Sequence, residues 1–137
     1  MISAKPATIL LAEDDTIVRK MVTDILALGQ YVVIPASDGE EAYNLFLQHE
    51  TEIDLVITDV VMPRMNGRQL GERCRLRNAA TPILYMSGYV DNCLDPREAV
   101  KDRSDFIAKP FRPGEFLGRV GKLLNQDDRS KEIRAAS

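Results

Sequence analysis

The sequence predicts an α/β fold: a doubly wound, five-stranded parallel sheet with helices on both faces. Short apolar runs alternate with longer amphipathic stretches five times along the 137 residues, and this strict alternation is typical of parallel sheets with helical crossovers. The run Ile53–Thr58 is apolar almost throughout, as expected of a strand that is covered on both faces. Because crossovers are right-handed, few topologies remain, and we expect the strand order 2-1-3-4-5, which is one of two common orders.

Periodicity and turn residues justify the first elements in chain order. Thr8–Ala12 is the first predicted strand. In the helix that follows, apolar residues recur every four positions and share a face: Ile17, Met21 and Ile25, with Val18, Val22 and Leu26. Gly29 ends this helix. Tyr31–Ala36 is the second strand, and its Pro35 favours an edge or a strand end, because proline cannot donate a ladder hydrogen bond.

The remaining elements continue the same pattern. A second helix starts at Asp38 and Gly39. The later predicted strands are Ile53–Thr58, Pro82–Ser87 and Asp105–Ala108. The later predicted helices are Arg68–Arg77, a short one within Asp91–Asp102, and Pro113–Leu124. We expect residues 1–125 to form the domain and residues 126–137 to be a polar, frayed tail.

The composition excludes several classes of protein. The chain is 45% hydrophobic and 28% charged, which is typical of a soluble globular domain, and its net charge of −3 gives no basic footprint for nucleic acid. No apolar run is long enough to span a bilayer, and Met1–Pro6 lack the apolar core of a secretory signal. Cys74 and Cys93 form no CxxC pair, so we expect both to act as small apolar residues in a reduced, cytoplasmic compartment.

Polar residues gather at one edge of the predicted sheet. Glu13 and Asp14 follow the first strand, Asp59 ends the third, Ser87 ends the fourth and Lys109 follows the fifth. All lie at carboxyl ends of strands, where open α/β sheets bind ligands. The first and third strands would be neighbours roughly 5 Å apart, so their carboxylates converge. Lys109 would start about 10 Å away, and its long side chain can lean back toward Asp59.

This arrangement indicates a metal ion and phosphoryl chemistry. Three carboxylates in one place repel and raise each other's pKa values. A divalent cation resolves the repulsion, and oxygen ligands with no His or Cys nearby imply a hard ion, which we expect to be Mg²⁺. Beside Mg²⁺ and the ammonium group of Lys109, Asp59 is poised as a nucleophile. The same charges favour phosphoryl transfer, and the Ser87 hydroxyl can donate to a phosphoryl oxygen.

Taken singly, these residues have ordinary structural explanations: a helix cap at Asp14, a turn at Asp59 or Ser87, and a solvated surface at Lys109. We expect the cap at Asp15 or Thr16 instead. The convergence of all of these side chains on one edge of the sheet favours the functional interpretation.

The motifs at this edge resemble those of a known family. ILLAEDD, DLVITDVVMPRMNG, ILYMSG and FIAKPF are together similar to the pattern of response-regulator receiver domains of two-component signalling. Each motif is weak alone, but the resemblance extends from about Thr8 to Leu124 and also implies the flavodoxin-like fold. It implies a switch that accepts a phosphoryl group from a histidine kinase or a histidine phosphotransferase and then binds a downstream protein. Such a chain catalyses only its own phosphorylation and dephosphorylation.

By position, the resemblance implies a role for each residue of the edge. Asp59 would be the phospho-acceptor, and Mg²⁺ would be bound by Asp14, by Asp59, by the backbone carbonyl of Val61 and, through water, by Glu13. Ser87 and Lys109 would contact the phosphoryl group, and Ser87 and Phe106 would form the switch. Pro110 would follow a cis peptide bond. Two positions depart from the commonest pattern. Gly88 and Tyr89 make an SGY version that resembles receivers at the C-terminus of hybrid histidine kinases. Phe106 lacks the hydroxyl of the commoner Tyr, so it can rotate but cannot make a hydrogen bond.

The expected signal is a two-state switch. Phosphorylated Asp59 draws Ser87 inward, Phe106 turns toward the core, and the surface formed by the predicted fourth helix, fifth strand and last helix changes shape. Val61 and Tyr89 are bulky residues expected to flank the phosphoryl group. Because Val61 offers no polar group to orient water, we predict slow loss of the phosphoryl group.

Two other functions share parts of this pattern. A Mg²⁺-dependent aspartyl-phosphate phosphatase would carry DxD after the first strand, whereas Glu13-Asp14-Asp15 stands there, and we expect no large cap domain. A flavodoxin-like cofactor-binding module needs a hydroxyl-rich loop at that point, and the acidic residues would repel a flavin phosphate. A GxxxxGK loop is absent from the sequence.

Four basic or titratable residues outside the edge are interpreted as ordinary surface. His49 is the only histidine, and we expect it to be solvated and remote from the acidic edge, with no part in phosphorelay. Three arginines on the third helix are expected to form a solvated face: Arg73, Arg75 and Arg77.

Overall fold

The computed structural model of the chain describes residues 5–88 and 103–136, with side chains as far as residue 125. Five parallel strands form one sheet: β1 (Thr8–Ala12), β2 (Val32–Ala36), β3 (Ile53–Asp59), β4 (Ile83–Ser87) and β5 (Ser104–Ala108). Their order is β2-β1-β3-β4-β5, and all four neighbouring pairs are parallel. The predicted order 2-1-3-4-5 is therefore confirmed, and so is the edge position of β2 with its Pro35.

In the described parts of the chain, three helices connect strands and one follows the last strand: α1 (Thr16–Leu28), α2 (Gly39–Gln48), α3 (Gly67–Arg77) and the C-terminal helix (Pro113–Ala136). Asp15 caps α1 by accepting hydrogen bonds from the Ile17 and Val18 amides, and Gly29 ends it, so both predictions are confirmed. The short helix predicted within Asp91–Asp102 lies outside the described residues.

The C-terminal helix is longer than predicted. Its backbone stays helical to Ala136, so the predicted end at Leu124 is wrong. After Gly121 the sequence contains neither glycine nor proline, and the Lys, Leu, Gln, Arg, Glu and Ala found there are good helix formers that continue a started helix at little cost. The domain boundary at residue 125 stays a prediction.

Two apolar clusters lie on opposite faces of the sheet. One packs residues of α2 and α3 against Leu10 and Val56. The other packs α1 and the C-terminal helix against Leu55 and Ile57. Because successive side chains of a strand point to opposite faces, β3 supplies residues to both clusters in turn, which explains its nearly continuous apolar run. Among the described residues, no helix is both long and apolar enough to cross a membrane.

The arginines of α3 make more contacts than a solvated face would. Arg75 is half-buried and donates to the Thr81 carbonyl at 3.2 Å and to Ser104 Oγ at 2.8 Å, which ties α3 to the amino ends of β4 and β5. Two further contacts are an ion pair between Arg77 and Glu50 at 3.0 Å and the stacking of Arg73 over Tyr43 at 5.8 Å. The expectation of a solvated face is wrong for Arg75. A long arginine side chain can bury its apolar stem while its guanidinium donates hydrogen bonds, here to Thr81 and Ser104.

Two other sequence expectations have separate outcomes. Cys74 is fully buried on α3, and burial raises the pKa of its thiol to about 12, so it acts as the small apolar residue that was predicted; Cys93 lies outside the described residues. His49 caps the C-terminal end of α2, remote from the acidic edge as predicted. It is only partly exposed, and its Nδ1 is buried without a hydrogen-bond partner, 3.7 Å from Glu52 Oε1. The expectation of a solvated histidine is therefore wrong: Nδ1 is shielded from solvent, next to a turn in which the Glu52 and Ile53 amides donate to the His49 carbonyl.

Candidate functional site

The carboxyl ends of β1 and β3 bring three acidic side chains together. Ala12 pairs with Thr58 in the parallel register, so the residues that follow them, Glu13 and Asp59, lie side by side. Glu13, Asp14 and Asp59 each offer a carboxylate oxygen, and these oxygens lie within 4.8 Å of one another. The sequence prediction that these carboxylates converge is confirmed.

Lys109 reaches this group from the end of β5. Its Nζ lies 2.7 Å from Glu13 Oε1 and 3.2 Å from Asp59 Oδ2. Its own backbone amide donates to the Ser87 carbonyl at 2.7 Å, which fixes the start of the side chain beside β4. The lean toward Asp59 was predicted, whereas the shorter contact to Glu13 was not. The available signal was that an acid directly after a central buried strand needs a partner.

Glu13 is the most constrained of the three acids. It is 0% exposed, and its two carboxylate oxygens are both hydrogen-bonded: Oε1 to Lys109 at 2.7 Å and Oε2 to the Asp15 amide at 3.1 Å. Its backbone carbonyl accepts from Arg19 Nη1 at 2.8 Å. A fully buried carboxylate is tolerated only with such partners, so Glu13 is fixed in position before any ligand arrives.

The charges at the site do not balance. Three carboxylates and one ammonium leave a formal charge of −2, since −3 + 1 = −2. Burial raises the pKa of Asp14, and so do its hydrogen bond and proximity to Glu13. Burial alone would lower the pKa of Lys109, but the hydrogen bond to Glu13 and the charges of Asp59 and Glu13 outweigh it and raise that pKa. The oxygen-only donor set and the net deficit of two positive charges fit a hard divalent cation such as Mg²⁺.

The loop after β3 is drawn close to the site by a glycine. A Cβ on Gly67 would collide with the carbonyl oxygen of Asp59, and the Gly67 amide donates to the Val60 carbonyl at 2.9 Å. The first turn of α3 therefore packs directly on the end of β3, which only glycine permits. Val61 lies between these points and is 63% exposed. The role of its carbonyl as a metal ligand stays a prediction.

The other predicted residues that the structure describes lie on or just after β4 and β5. Ser87 ends β4 and is 3% exposed. Phe106 is half-buried on β5, paired with Tyr85 in the sheet register and packed against the cluster that α2 and α3 cover. The Lys109–Pro110 peptide is cis, as predicted. Tyr89 lies outside the described residues.

Comparison with known proteins identifies the family. The model of the response regulator receiver domain matches residues 9–121, which is most of the chain. The chain belongs to the receiver-domain family. Receiver domains are signalling modules of two-component systems, and this membership supports neither a phosphatase nor a flavodoxin-like cofactor-binding module.

Individual relatives of the receiver agree with this assignment. The Regulatory protein VanRB of Enterococcus faecalis (strain ATCC 700802 / V583) is 37% identical over 127 residues, which are 92% of this chain and 56% of that protein. A response regulator receiver protein from Sinorhizobium medicae WSM419 has a TM-score of 0.80 at 29% identity, covering 91% of this chain and 99% of that one.

A third relative comes from a hybrid kinase. The receiver domain of the hybrid histidine kinase CckA has a TM-score of 0.74 at 30% identity, covering 86% of this chain and 99% of that one. The receiver spans about half or less of the length of the curated relatives it matches.

We expect Asp14→Asn to stabilise the receiver at neutral pH when no divalent cation is present. The folded state raises the pKa of Asp14 above its ordinary value of 3.8, so the ionised form costs stability as the pH rises through that range, and the full cost applies at neutral pH. Asp14 is exposed, so solvent screening limits the gain to about 1–3 °C in Tm. Thermal unfolding at neutral pH measures the gain in Tm, which should vanish at about pH 3.

The control for this prediction is Asp24→Asn, which removes an exposed acid on α1 that pairs with Lys20 at 3.4 Å. It should give no such gain. Adding Mg²⁺ should raise the Tm of the wild type and of Asp24→Asn by mass action, and should raise that of Asp14→Asn much less. A lower Tm of Asp14→Asn without Mg²⁺ would contradict the repulsion described above.

Proposed function

We propose that the receiver takes a phosphoryl group onto Asp59 from the phosphohistidine of a histidine kinase or a histidine phosphotransferase, and that this changes its protein-binding surface. One observation carries the proposal: Asp59 ends the central strand with one oxygen bound to Lys109, in a group of three carboxylates that together with Lys109 has a formal charge of −2.

In this proposal Asp59 is the nucleophile of an in-line displacement. The P–N bond of the donor phosphohistidine breaks, a P–O bond to a carboxylate oxygen of Asp59 forms, and the imidazole leaves. Asp59 is 8% exposed, so the side chain is fixed by its surroundings and little orientation is lost on reaction. Because phosphoryl transfer depends on position and charge more than on covalent help from the protein, this fixed geometry is the main contribution of β3.

Lys109 supplies a positive charge that can follow the reaction. Its ammonium group contacts Asp59 at 3.2 Å and Glu13 at 2.7 Å. A phosphoryl group added to Asp59 would bring its oxygens within reach of this ammonium group. Lysine carries three donors on a flexible stem, so it can keep Glu13 and gain a phosphoryl oxygen without rebuilding the site.

Glu13, Asp14 and Asp59, with the backbone carbonyl of Val61, are the residues that would hold Mg²⁺. When bound, Mg²⁺ supplies charge neutralisation for the acidic group and for the phosphoryl oxygens. Asp14 is the acid with an open approach, because it is exposed whereas Glu13 is already hydrogen-bonded at both oxygens. This difference supports a direct ligand role for Asp14 and an outer, water-linked role for Glu13.

The switch would start at Ser87 and pass to β5. Ser87 ends β4 and lies beside the start of Lys109, since the Lys109 amide donates to the Ser87 carbonyl. A new hydrogen bond from the Ser87 hydroxyl to the phosphoryl group moves this strand end toward the site. Phe106 is half-buried, so it can turn further inward and alter the surface of β5 and its neighbours. The switch biases two existing packings of the same chain.

A cytoplasmic location accompanies this proposal. The reduced, buried Cys74 and the absence of a CxxC pair from the sequence suit a reducing compartment. A fractionation experiment that finds the native protein in an oxidising compartment would contradict it.

Labelling with acetyl phosphate tests the central proposal. With Mg²⁺, wild type should gain the mass of one phosphoryl group, because Asp59 is poised to attack a small donor as well as a phosphohistidine. Asp59→Ala should gain none, and a chelator should prevent labelling of the wild type. Intact-protein mass spectrometry measures the gain.

The matched control is Asp24→Asn, which removes an acid far from the sheet edge and should label as wild type does. Labelling of Asp59→Ala at the wild-type level would overturn the assignment of the phospho-acceptor. Labelling that persists after chelation would overturn the requirement for a metal ion.

Ser87→Ala should separate phosphorylation from the switch. We expect this variant to be labelled on Asp59 but to lose the phosphorylation-dependent change in hydrogen exchange across residues 104–108, because the hydroxyl that moves β4 is gone. Exchange measured by mass spectrometry, with and without phosphorylation, checks this. Ser37→Ala, at an exposed position just after β2, should keep the change. A full response in Ser87→Ala would show that the switch uses another route.

Val61→Asn should shorten the phosphoryl lifetime. The Val61 side chain is exposed, two residues after Asp59, and carries no polar group. A side-chain amide at this position can orient the attacking water. Orientation alone is weaker than full general-base catalysis, so we expect a gain of about tenfold in the hydrolysis rate. Phosphate release from the labelled protein measures the rate. Val32→Asn, at an exposed position at the start of β2, should leave the lifetime unchanged. An unchanged lifetime in Val61→Asn would exclude the predicted role of Val61.

A further inference from the structure

An ion pair links α2 to the loop that follows Asp59. Arg64 Nη1 lies 2.7 Å from Asp38 Oδ2, between residues 26 positions apart in the chain. The other oxygen of the same carboxylate, Oδ1, accepts from the Glu41 amide at 2.8 Å and caps α2. One carboxylate therefore fixes the start of a helix and the loop beside it. We call this pair the 38–64 clamp.

The loop is held in a conformation that needs support. Arg64 has a φ of 68°, in the left-handed region that side chains other than glycine rarely adopt. Next to it, Met65 is 8% exposed, and a Cβ on Gly39 would collide with the Met65 carbonyl oxygen. The loop thus lies directly on the first residue of α2. Strained backbone of this kind persists where the surroundings over-determine it and is concentrated at functional sites.

The clamp lies one short segment away from the reactive carboxylate. Four residues, 60–63, separate Asp59 from Arg64. At the near end, the Val60 amide donates to the Met86 carbonyl at 2.9 Å, and the Val60 carbonyl accepts from Gly67 at 2.9 Å. At the far end, the 38–64 clamp holds Arg64 through its ion pair with Asp38. Val61 lies between the two anchors, so its position relative to Asp59 depends on both.

We propose that Asp38 and Arg64 are positioning residues, which set the affinity of the site for divalent cations by fixing the loop that carries Val61. The inference rests on the proposed function, because it assigns the clamp a role toward the same metal ion. The two partners differ in exposure: the Arg64 side chain is 65% exposed and that of Asp38 13%. Exposed ion pairs contribute little to global stability, so the effect of this pair is local to the loop.

The chain offers a matched control for a clamp variant. Arg77 pairs with Glu50 at 3.0 Å, with its side chain 51% exposed. This pair also joins α3 to the end of α2, but it lies at the opposite edge of the sheet from Asp59. Arg77→Gln therefore removes a comparable ion pair without touching the loop.

The test compares Mg²⁺ affinity with stability in Arg64→Gln, Asp38→Asn, their double variant, Arg64→Lys and Arg77→Gln. Asparagine caps helices as well as aspartate does, so Asp38→Asn removes the clamp and keeps α2. Calorimetric titration with Mg²⁺ should show affinity weakened about threefold to tenfold in each clamp variant. The double variant should bind Mg²⁺ no more weakly than the weaker-binding single variant, because both substitutions remove the same ion pair. Arg64→Lys should remain within about twofold of wild type, since it keeps the charge.

Hydrogen exchange and urea unfolding separate positioning from a general loss of stability. Hydrogen exchange at the Gly67 amide should be faster in the clamp variants than in the wild type. The urea midpoints of the clamp variants should be close to that of Arg77→Gln. Arg77→Gln itself should keep the Mg²⁺ affinity of the wild type. If Arg64→Gln binds Mg²⁺ as Arg77→Gln does, the clamp has no positioning role, and the proposed function stands. If the wild type neither binds Mg²⁺ nor is labelled by acetyl phosphate, the proposed function fails and this inference fails with it.

Discussion

The placement of three carboxylates beside one ammonium group is the constraint around which the rest of the site is arranged. The parallel register of β1 and β3 forces Glu13 and Asp59 together. Lys109 reaches Asp59 from two strand positions away and Glu13 from three. The single positive charge of Lys109 leaves the group with a formal charge of −2. A site with this deficit is prepared to receive cations, and it tolerates the deficit because Asp14 remains in contact with water. Binding of a divalent cation would remove this imbalance, and the bound cation and Lys109 would then offset the further negative charge that a phosphoryl group adds to Asp59.

Much of the site could be predicted because strand ends follow from sequence periodicity. Once the alternation of β1 and β3 is recognised, their carboxyl ends must meet, and Glu13, Asp14 and Asp59 are placed without knowledge of any side-chain conformation. The direction of Lys109 was predicted for the same reason. Its partner Glu13 was not, because the choice between two nearby carboxylates depends on side-chain torsions that sequence patterns do not encode.

The features that sequence reasoning missed are set by tertiary contacts. Arg64 adopts a left-handed φ although no local pattern demands it, because Asp38 and the start of α2 hold the loop. Arg75 looked like one member of a charged run, yet its acceptors come from the starts of β4 and β5. The end of the C-terminal helix was placed too early because a polar composition was taken to mean irregular backbone, whereas helix propensity without glycine or proline continues the helix.

Pro35 has a consequence for how copies of this chain meet. The Val32 amide donates to the Ala7 carbonyl, on the side of β1. Because the backbone hydrogen-bonding groups of a strand alternate in direction, those of Ile34 and Ala36 also face β1, whereas those of Val33 and Pro35 face the free edge. Proline has no amide hydrogen to offer there. The outer edge of β2 therefore presents a broken row of donors, which opposes the joining of two sheets into a continuous one. The free edge of β2 is thereby protected from permanent pairing with a second copy of the chain.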